Sequence, residues 1–240
     1  MAGSFLNVCI SRLPEGESVV FPPSNCPLCK TKIHPVDLIP VLSYFLLRGR
    51  CRECGGLISP RYPLVEALTA LSFYAVARWS PDPLATLKYL IFTSALIVIF
   101  FIDIRHLIIP DLVVLPLTEM GLLIAIFENR FWDGVLGALV GIALFLAIAE
   151  MAALMFRREG MGGGDVKFAG MIGAFLGVKM LLVASFLSFI AGGLIVIPML
   201  LLGIRKVGEP VPFGPMMVAG SAAVVVAGNR ILELYSNYWM

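Results

Sequence analysis

Asp103 and Asp165 are the residues of this chain best placed to do chemistry. Asp103 closes the apolar run 89–102, and Asp165 follows directly on Gly162-Gly163-Gly164, so each carboxylate stands at the edge of a membrane-length segment. Carboxylates are expensive to keep at such positions, which makes both functional candidates. At a common membrane face they could form a dyad that shares one proton and activates a water molecule, the chemistry of an aspartic protease.

A second constellation is Cys26-Pro27-Leu28-Cys29 with Cys51-Arg52-Glu53-Cys54, two C-x-x-C pairs separated by 21 residues. That spacing matches a four-thiolate zinc ribbon, in which each pair forms a tight knuckle and the two close tetrahedrally on one ion. Two disulfides would need an oxidising compartment, and a redox pair would need only one C-x-x-C. Four ligands saturate the ion and leave no open position for catalysis, so such a zinc is structural. Cys9 is left over in the apolar stretch 5–10 and reads as a small buried residue.

Other candidates carry less. Gly162-Gly163-Gly164 lacks the G-x-x-x-x-G-K-[ST] pattern of a phosphate loop, and its glycines read as freeing the backbone around Asp165. His34 lies in the cysteine loop, as a zinc neighbour or a solvated residue. His106 stands three residues after Asp103, where it could tune that acid or face headgroups. No G-x-S-x-G or H-E-x-x-H pattern occurs. Asp111 rivals Asp103 for a catalytic role, but Pro110-Asp111 also suits the first turn of a helix, with an acid near the positive end of its dipole.

The elements that must position these residues follow from composition. With 59% hydrophobic and 14% charged residues and a mean hydropathy of +0.94, the 240-residue chain cannot hide its apolar surface in a soluble core. It reads as an all-α polytopic membrane protein whose partner is the lipid bilayer. A net charge of +2, small and scattered along the chain, suggests no nucleic-acid partner.

Seven membrane helices are expected, at about 62–79, 84–102, 108–127, 132–156, 166–178, 179–204 and 213–235. Small residues in 134–149, 169–177 and 184–193, including Gly137 and Gly141, suit close helix packing. Placing 10–61, 103–107, 157–167 and 205–212 inside gathers thirteen of the eighteen Lys and Arg residues, Arg157, Arg158, Arg205 and Lys206 among them. This alternation brings Asp103, Asp165 and the polar segment 10–61 to the cytoplasmic side. A reducing cytoplasm agrees with free thiols for a metal.

Phe101-Ile102-Asp103 with Ile109-Pro110-Asp111, together with Gly162-Gly163-Gly164-Asp165, resembles the paired signature of the type IV prepilin peptidases, the G-x-G-D aspartic membrane proteases. Gly3-Ser4-Phe5-Leu6-Asn7-Val8, Arg12-Leu13-Pro14, Pro22-Pro23-Ser24, the cysteine pairs, Asp37-Leu38-Ile39-Pro40-Val41-Leu42-Ser43 and Ile58-Ser59-Pro60-Arg61-Tyr62-Pro63 are similar to that family's amino-terminal cytoplasmic domain. Family members usually begin with a membrane helix before the Gly-Ser-Phe-Leu-Asn motif, giving about eight spans. Here the motif starts at Gly3 and that helix is nearly absent.

The resemblance implies Asp103 and Asp165 as the catalytic pair. It implies three regions: a remnant of the first membrane helix at 1–9, a small cytoplasmic zinc-ribbon-like domain at 10–61 held by Cys26, Cys29, Cys51 and Cys54, and a membrane aspartic protease domain at 62–240. It further implies a multi-pass enzyme of the bacterial inner membrane with its active site facing the cytoplasm. Such an enzyme cleaves the basic leader of type IV prepilins and pseudopilins, then methylates the new terminal amine with S-adenosylmethionine. No glycine-rich nucleotide loop marks a methyl-donor site, and the zinc domain, as the main polar surface, is the natural place for one. The alternatives are a leader peptidase without methylation and an ion-coupled transporter, the latter expected to carry midplane carboxylates and repeated halves.

Overall fold

The computed structural model describes residues 1–21, 23–80, 82–156, 161–204, 209 and 211–239. Pro22 of the Pro-Pro-Ser motif and the loop cations Arg157, Arg158, Arg205 and Lys206 lie outside the described residues. Among those described, the chain forms α1 (Ala2–Arg12), α2 (Leu42–Leu46), α3 (Arg61–Trp79), α4 (Pro83–His106), α5 (Asp111–Phe127), α6 (Phe131–Phe156), α7 (Gly163–Leu201) and α8 (Gly214–Trp239). It contains no strand there, only two isolated bridges, Asn25 with Lys32 and Arg50 with Leu57. The protein is all-helical, and α4, α6 and α7 are each long and apolar enough to cross a membrane. The remaining apolar runs also coincide with helices, but α5 has only 17 residues and α3 carries Arg61, Glu66 and Arg78.

The chain divides into two compact units, Met1–Val98 and Ile99–Met240, the boundary falling inside α4. In the first, α1 lies against α3. Gly3 permits this, since a Cβ there would come within 2.8 Å of the Glu66 Cα. Ser4 Oγ donates to Glu66 Oε1 at 2.6 Å, and Asn7 Nδ2 donates to the Tyr62 carbonyl at 3.0 Å. Leu6, Ile10 and Val65 are buried beside these bonds, so apolar burial and side-chain hydrogen bonds fix the same pairing.

The second unit is built on backbone contact between α6 and α7. A Cβ at Gly137 would collide with the Gly173 carbonyl, and one at Gly141 would lie 2.5 Å from the Ala169 carbonyl. The small residues noted in the sequence are therefore packing residues. Without a hydrophobic drive between helices in lipid, dispersion across such close contacts holds them together.

The long helix α7 is broken near its middle. At 39 residues it would be about 58 Å long if straight, nearly twice the hydrocarbon thickness. It breaks at Gly177, whose φ of 78° and ψ of 175° belong almost only to glycine. The expected junction at 178–179 thus falls one residue earlier. Side chains satisfy the freed backbone: Asp133 Oδ1 accepts from the Val178 N–H at 3.1 Å, and Arg130 Nη2 donates to the Phe175 carbonyl at 2.8 Å. Arg130 is in turn held by Asp133 Oδ2 at 3.0 Å and Glu128 Oε2 at 2.6 Å. A buried helix end needs such partners.

Candidate active site and cysteine centre

Asp103 lies in the last turn of α4 and is only 5% exposed. Its Oδ2 accepts a 2.9 Å hydrogen bond from the Gly214 amide, the first residue of α8 and 111 positions away in the chain. A Cβ at Gly214 would stand 2.6 Å from that oxygen, so only glycine allows the approach. Phe213 holds the amide in place. Its ring packs at 5.3 Å from Phe189 and 6.3 Å from Phe145, and these two stack on each other at 5.8 Å.

Asp165 is the third residue of α7, half-buried, with its N–H donated to the Gly162 carbonyl at 3.1 Å. A carboxylate in the first turn faces the positive end of the helix dipole. The preceding glycines differ from expectation. None of Gly162, Gly163 and Gly164 adopts a positive φ. Gly164 matters for close approach instead, because a Cβ there would lie 3.0 Å from the Ile109 Cβ in the turn between α4 and α5.

That contact joins the segment after Asp103 to the segment before Asp165. The two carboxylates are electrostatic neighbours, the charge of Asp103 acting on Asp165. Asp111 opens α5, as the Pro-Asp pair suggests, and both its oxygens accept from Lys167 Nζ, at 2.8 and 2.7 Å. It is half-exposed and committed to an ion pair, which makes it a poor rival to Asp103. His106 is exposed. Gly214 and Lys167 are the contributors that sequence reasoning missed, and Ile109 entered it only as part of the Ile109-Pro110-Asp111 motif. Phe213-Gly214-Pro215 carries a signal for a helix start, but nothing local names its partner.

The cysteine pairs form two equivalent knuckles. In the first, Cys26 N–H donates to the Thr31 carbonyl at 2.9 Å and Lys30 N–H to the Cys26 carbonyl at 2.8 Å. In the second, Cys51 N–H donates to the Gly56 carbonyl at 2.8 Å and Gly55 N–H to the Cys51 carbonyl at 3.0 Å. Each turns on a left-handed residue, Lys30 at φ 60° and Gly55 at φ 68°.

All four cysteines are free thiols, and their sulfurs lie within 4.8 Å of one another, Cys26 and Cys54 at 3.9 Å. Zinc–sulfur bonds of about 2.3 Å in a tetrahedron require sulfurs about 3.8 Å apart, so the cluster fits the ion. Bonding from Thr31, first its hydroxyl and then its amide, pulls the Cys29 thiol down to about 6. The amides of Cys54 and Glu53 lower Cys51. At Cys54 the Gly56 amide acts downward, but burial and the three neighbouring thiols outweigh it and hold the group up at about 11.

His34 stands outside the cluster, exposed beside Glu53 at 3.7 Å. Arg52 binds Asp37 through two bonds, Nε to Oδ2 at 2.9 Å and Nη2 to Oδ1 at 2.5 Å, tying the second knuckle to the turn before α2. Cys9 is buried in α1, as its apolar neighbours suggest.

Residues 1–79 match the family described as Bacterial Peptidase A24 N-terminal domain, and residues 90–197 match the Type IV leader peptidase family. A prepilin leader peptidase/N-methyltransferase of Aeromonas hydrophila is 36% identical over 98% of this chain and 90% of its own length. The chain belongs to the type IV leader peptidase family. Leader peptidase relatives of the same name occur in Bacillus subtilis (strain 168), 36% identical over 97% of this chain and 93% of that one, and in Dichelobacter nodosus, 35% identical over 99% and 92%. No solved structure matches this leader peptidase family member. Within the family chain, the segment 90–197 spans both aspartates, and 1–79 spans the four cysteines.

Proposed function

We propose that this protein is a prepilin leader peptidase and N-methyltransferase in which Asp103 and Asp165 form the catalytic dyad. The observation that carries the reading is that Asp103 is bonded to the start of α8 while the turn after it closes on Gly164 beside Asp165, in a chain whose relatives bear that name. One carboxylate acts as general base on water, and the other, protonated, donates toward the scissile carbonyl oxygen and then the leaving amine. The proton belongs to the pair. The Gly214 amide restrains one oxygen of Asp103 and so fixes the orientation of its carboxyl group.

The substrate is a type IV prepilin or pseudopilin, with its apolar helix in the bilayer and its basic leader in the cytoplasm. The scissile bond then lies at the interface. This agrees with the Lys and Arg distribution, which favours 10–61 and both aspartates on the cytoplasmic side, and the family likeness implies the bacterial inner membrane. Seven crossings follow if α7 passes the bilayer twice around Gly177, with α3, α4, α5, α6 and α8 supplying the rest. Cys26, Cys29, Cys51 and Cys54 would hold one structural zinc that folds the loop, and residues 62–240 would form the protease. S-adenosylmethionine supplies the methyl group to the new amine. An ion-coupled transporter is not favoured, since the relatives carry a peptidase name. The test is to incubate purified protein with a pilin precursor, with and without S-adenosylmethionine, and weigh the products. Intact precursor in both would reject the reading.

A further inference from the structure

The five-residue helix α2 leaves most of an apolar face uncovered among the described residues. Leu42, Phe45 and Leu46 recur at the i, i+3, i+4 spacing of one helix face and are 53%, 68% and 73% exposed. Ser43, on the other side, is buried and bonded to the Ile39 carbonyl. Val36, in the turn packed against α2, and Ile39 extend the exposed apolar surface. Arg48 and Arg50 follow directly and are exposed, and no acidic residue occurs between 38 and 52.

The start of α2 is tethered to α3. The N–H of Val41, just before α2, donates to Glu66 Oε2 at 2.7 Å, with Val41 held at φ 62°. Glu66 stands five residues into α3, its Cα about 7.5 Å along that helix from the first residue, and its side chain holds the start of α2 beside the first turns of α3. Interfacial helices bury their apolar face about 5–10 Å into the headgroup boundary. Arg61 Nη2 donates to Ser11 Oγ at 3.2 Å, so the loop leaves α1 and returns to α3 at one place.

We propose that α2 is an interfacial foot: Leu42, Phe45 and Leu46 insert into the bilayer surface while Arg48 and Arg50 meet anionic lipid headgroups, parking the cysteine loop on the membrane. The inference rests on the chain being a membrane protein and not on its catalytic reading. Apolar insertion and basic attraction are the two terms of interfacial binding, and both are present within nine residues here.

The experiment uses full-length protein with Trp79, Trp132 and Trp239 changed to Phe and Phe45→Trp added, reconstituted in phosphatidylcholine–phosphatidylglycerol vesicles with brominated acyl chains. Bromine quenching should remove more than about half of the emission, as for a ring within the interface. Arg48→Gln with Arg50→Gln should reduce it, as should high salt. In the native sequence, trypsin should cut at Arg48 and Arg50 faster after Phe45→Ser with Leu46→Ser, with metal content unchanged to show that the loop remains folded. Full emission in brominated vesicles overturns the proposal. If that emission then responds to added pilin precursor, the face binds substrate and not lipid.

Discussion

At the scale of single residues, the two aspartates are not equivalent. Asp103 is buried and held by an amide from a distant helix, whereas Asp165 sits at a helix start beside an open glycine loop. A dyad needs both, because an amide in place of either carboxylate can neither share the proton nor activate water. Asp103→Asn and Asp165→Asn should each lower leader cleavage by at least about a thousandfold, with folded protein still in the membrane. Asp111→Asn should retain cleavage. Product masses check all three, and a dead Asp111→Asn beside an active Asp103→Asn would overturn the assignment. Gly214→Ala makes a separate claim. Its methyl would stand 2.6 Å from Asp103 Oδ2, so cleavage should fall more than about tenfold while thermal stability changes little.

Elements carry the geometry through two kinds of glycine. Gly137 and Gly173 let α6 and α7 touch backbone to backbone, so Gly137→Val should separate the pair and cost several kcal/mol, on the order of a severe overpacking. The break at Gly177 depends on Asp133. In Asp133→Ala the Val178 N–H loses its acceptor and Arg130 loses a partner, which should cost about 1–3 kcal/mol, read as a lower unfolding temperature in detergent. Asp133→Asn should recover part of that loss, since an amide oxygen still accepts. No recovery would mean that the charge facing Arg130 is the decisive contribution.

Taken whole, the proposed chemistry falls into different units: the aspartates lie in Ile99–Met240 and the thiols in Met1–Val98. One zinc equivalent is expected, and Cys26→Ser or Cys51→Ser should release it and make 10–61 protease-sensitive, because metal binding and folding are coupled in so small a loop. Less than about half an equivalent in carefully purified protein would count against the four-thiolate site. The separation also predicts that Asp103→Asn and Asp165→Asn still methylate a substrate supplied already cleaved, whereas losing zinc impairs methylation at least as much as proteolysis. Cysteine variants that keep full methylation without metal would end that division of labour.

Much was legible in the chain alone because the signals are local. Apolar runs fixed by the length of a bilayer crossing mark the helices, and their ends moved by only a few residues. The C-x-x-C spacing encodes two turns that need no distant partner, and the structure closes them into one cluster. A lone carboxylate at a membrane edge is conspicuous for its desolvation cost wherever the chain goes. What only the tertiary structure decided is which groups meet. Gly214 reaches Asp103 across 111 residues, Ile109 closes on Gly164, and Lys167 takes Asp111 across 56. Such pairings arise from how helices pack, and packing depends on contacts whose sequence separation leaves no periodic trace.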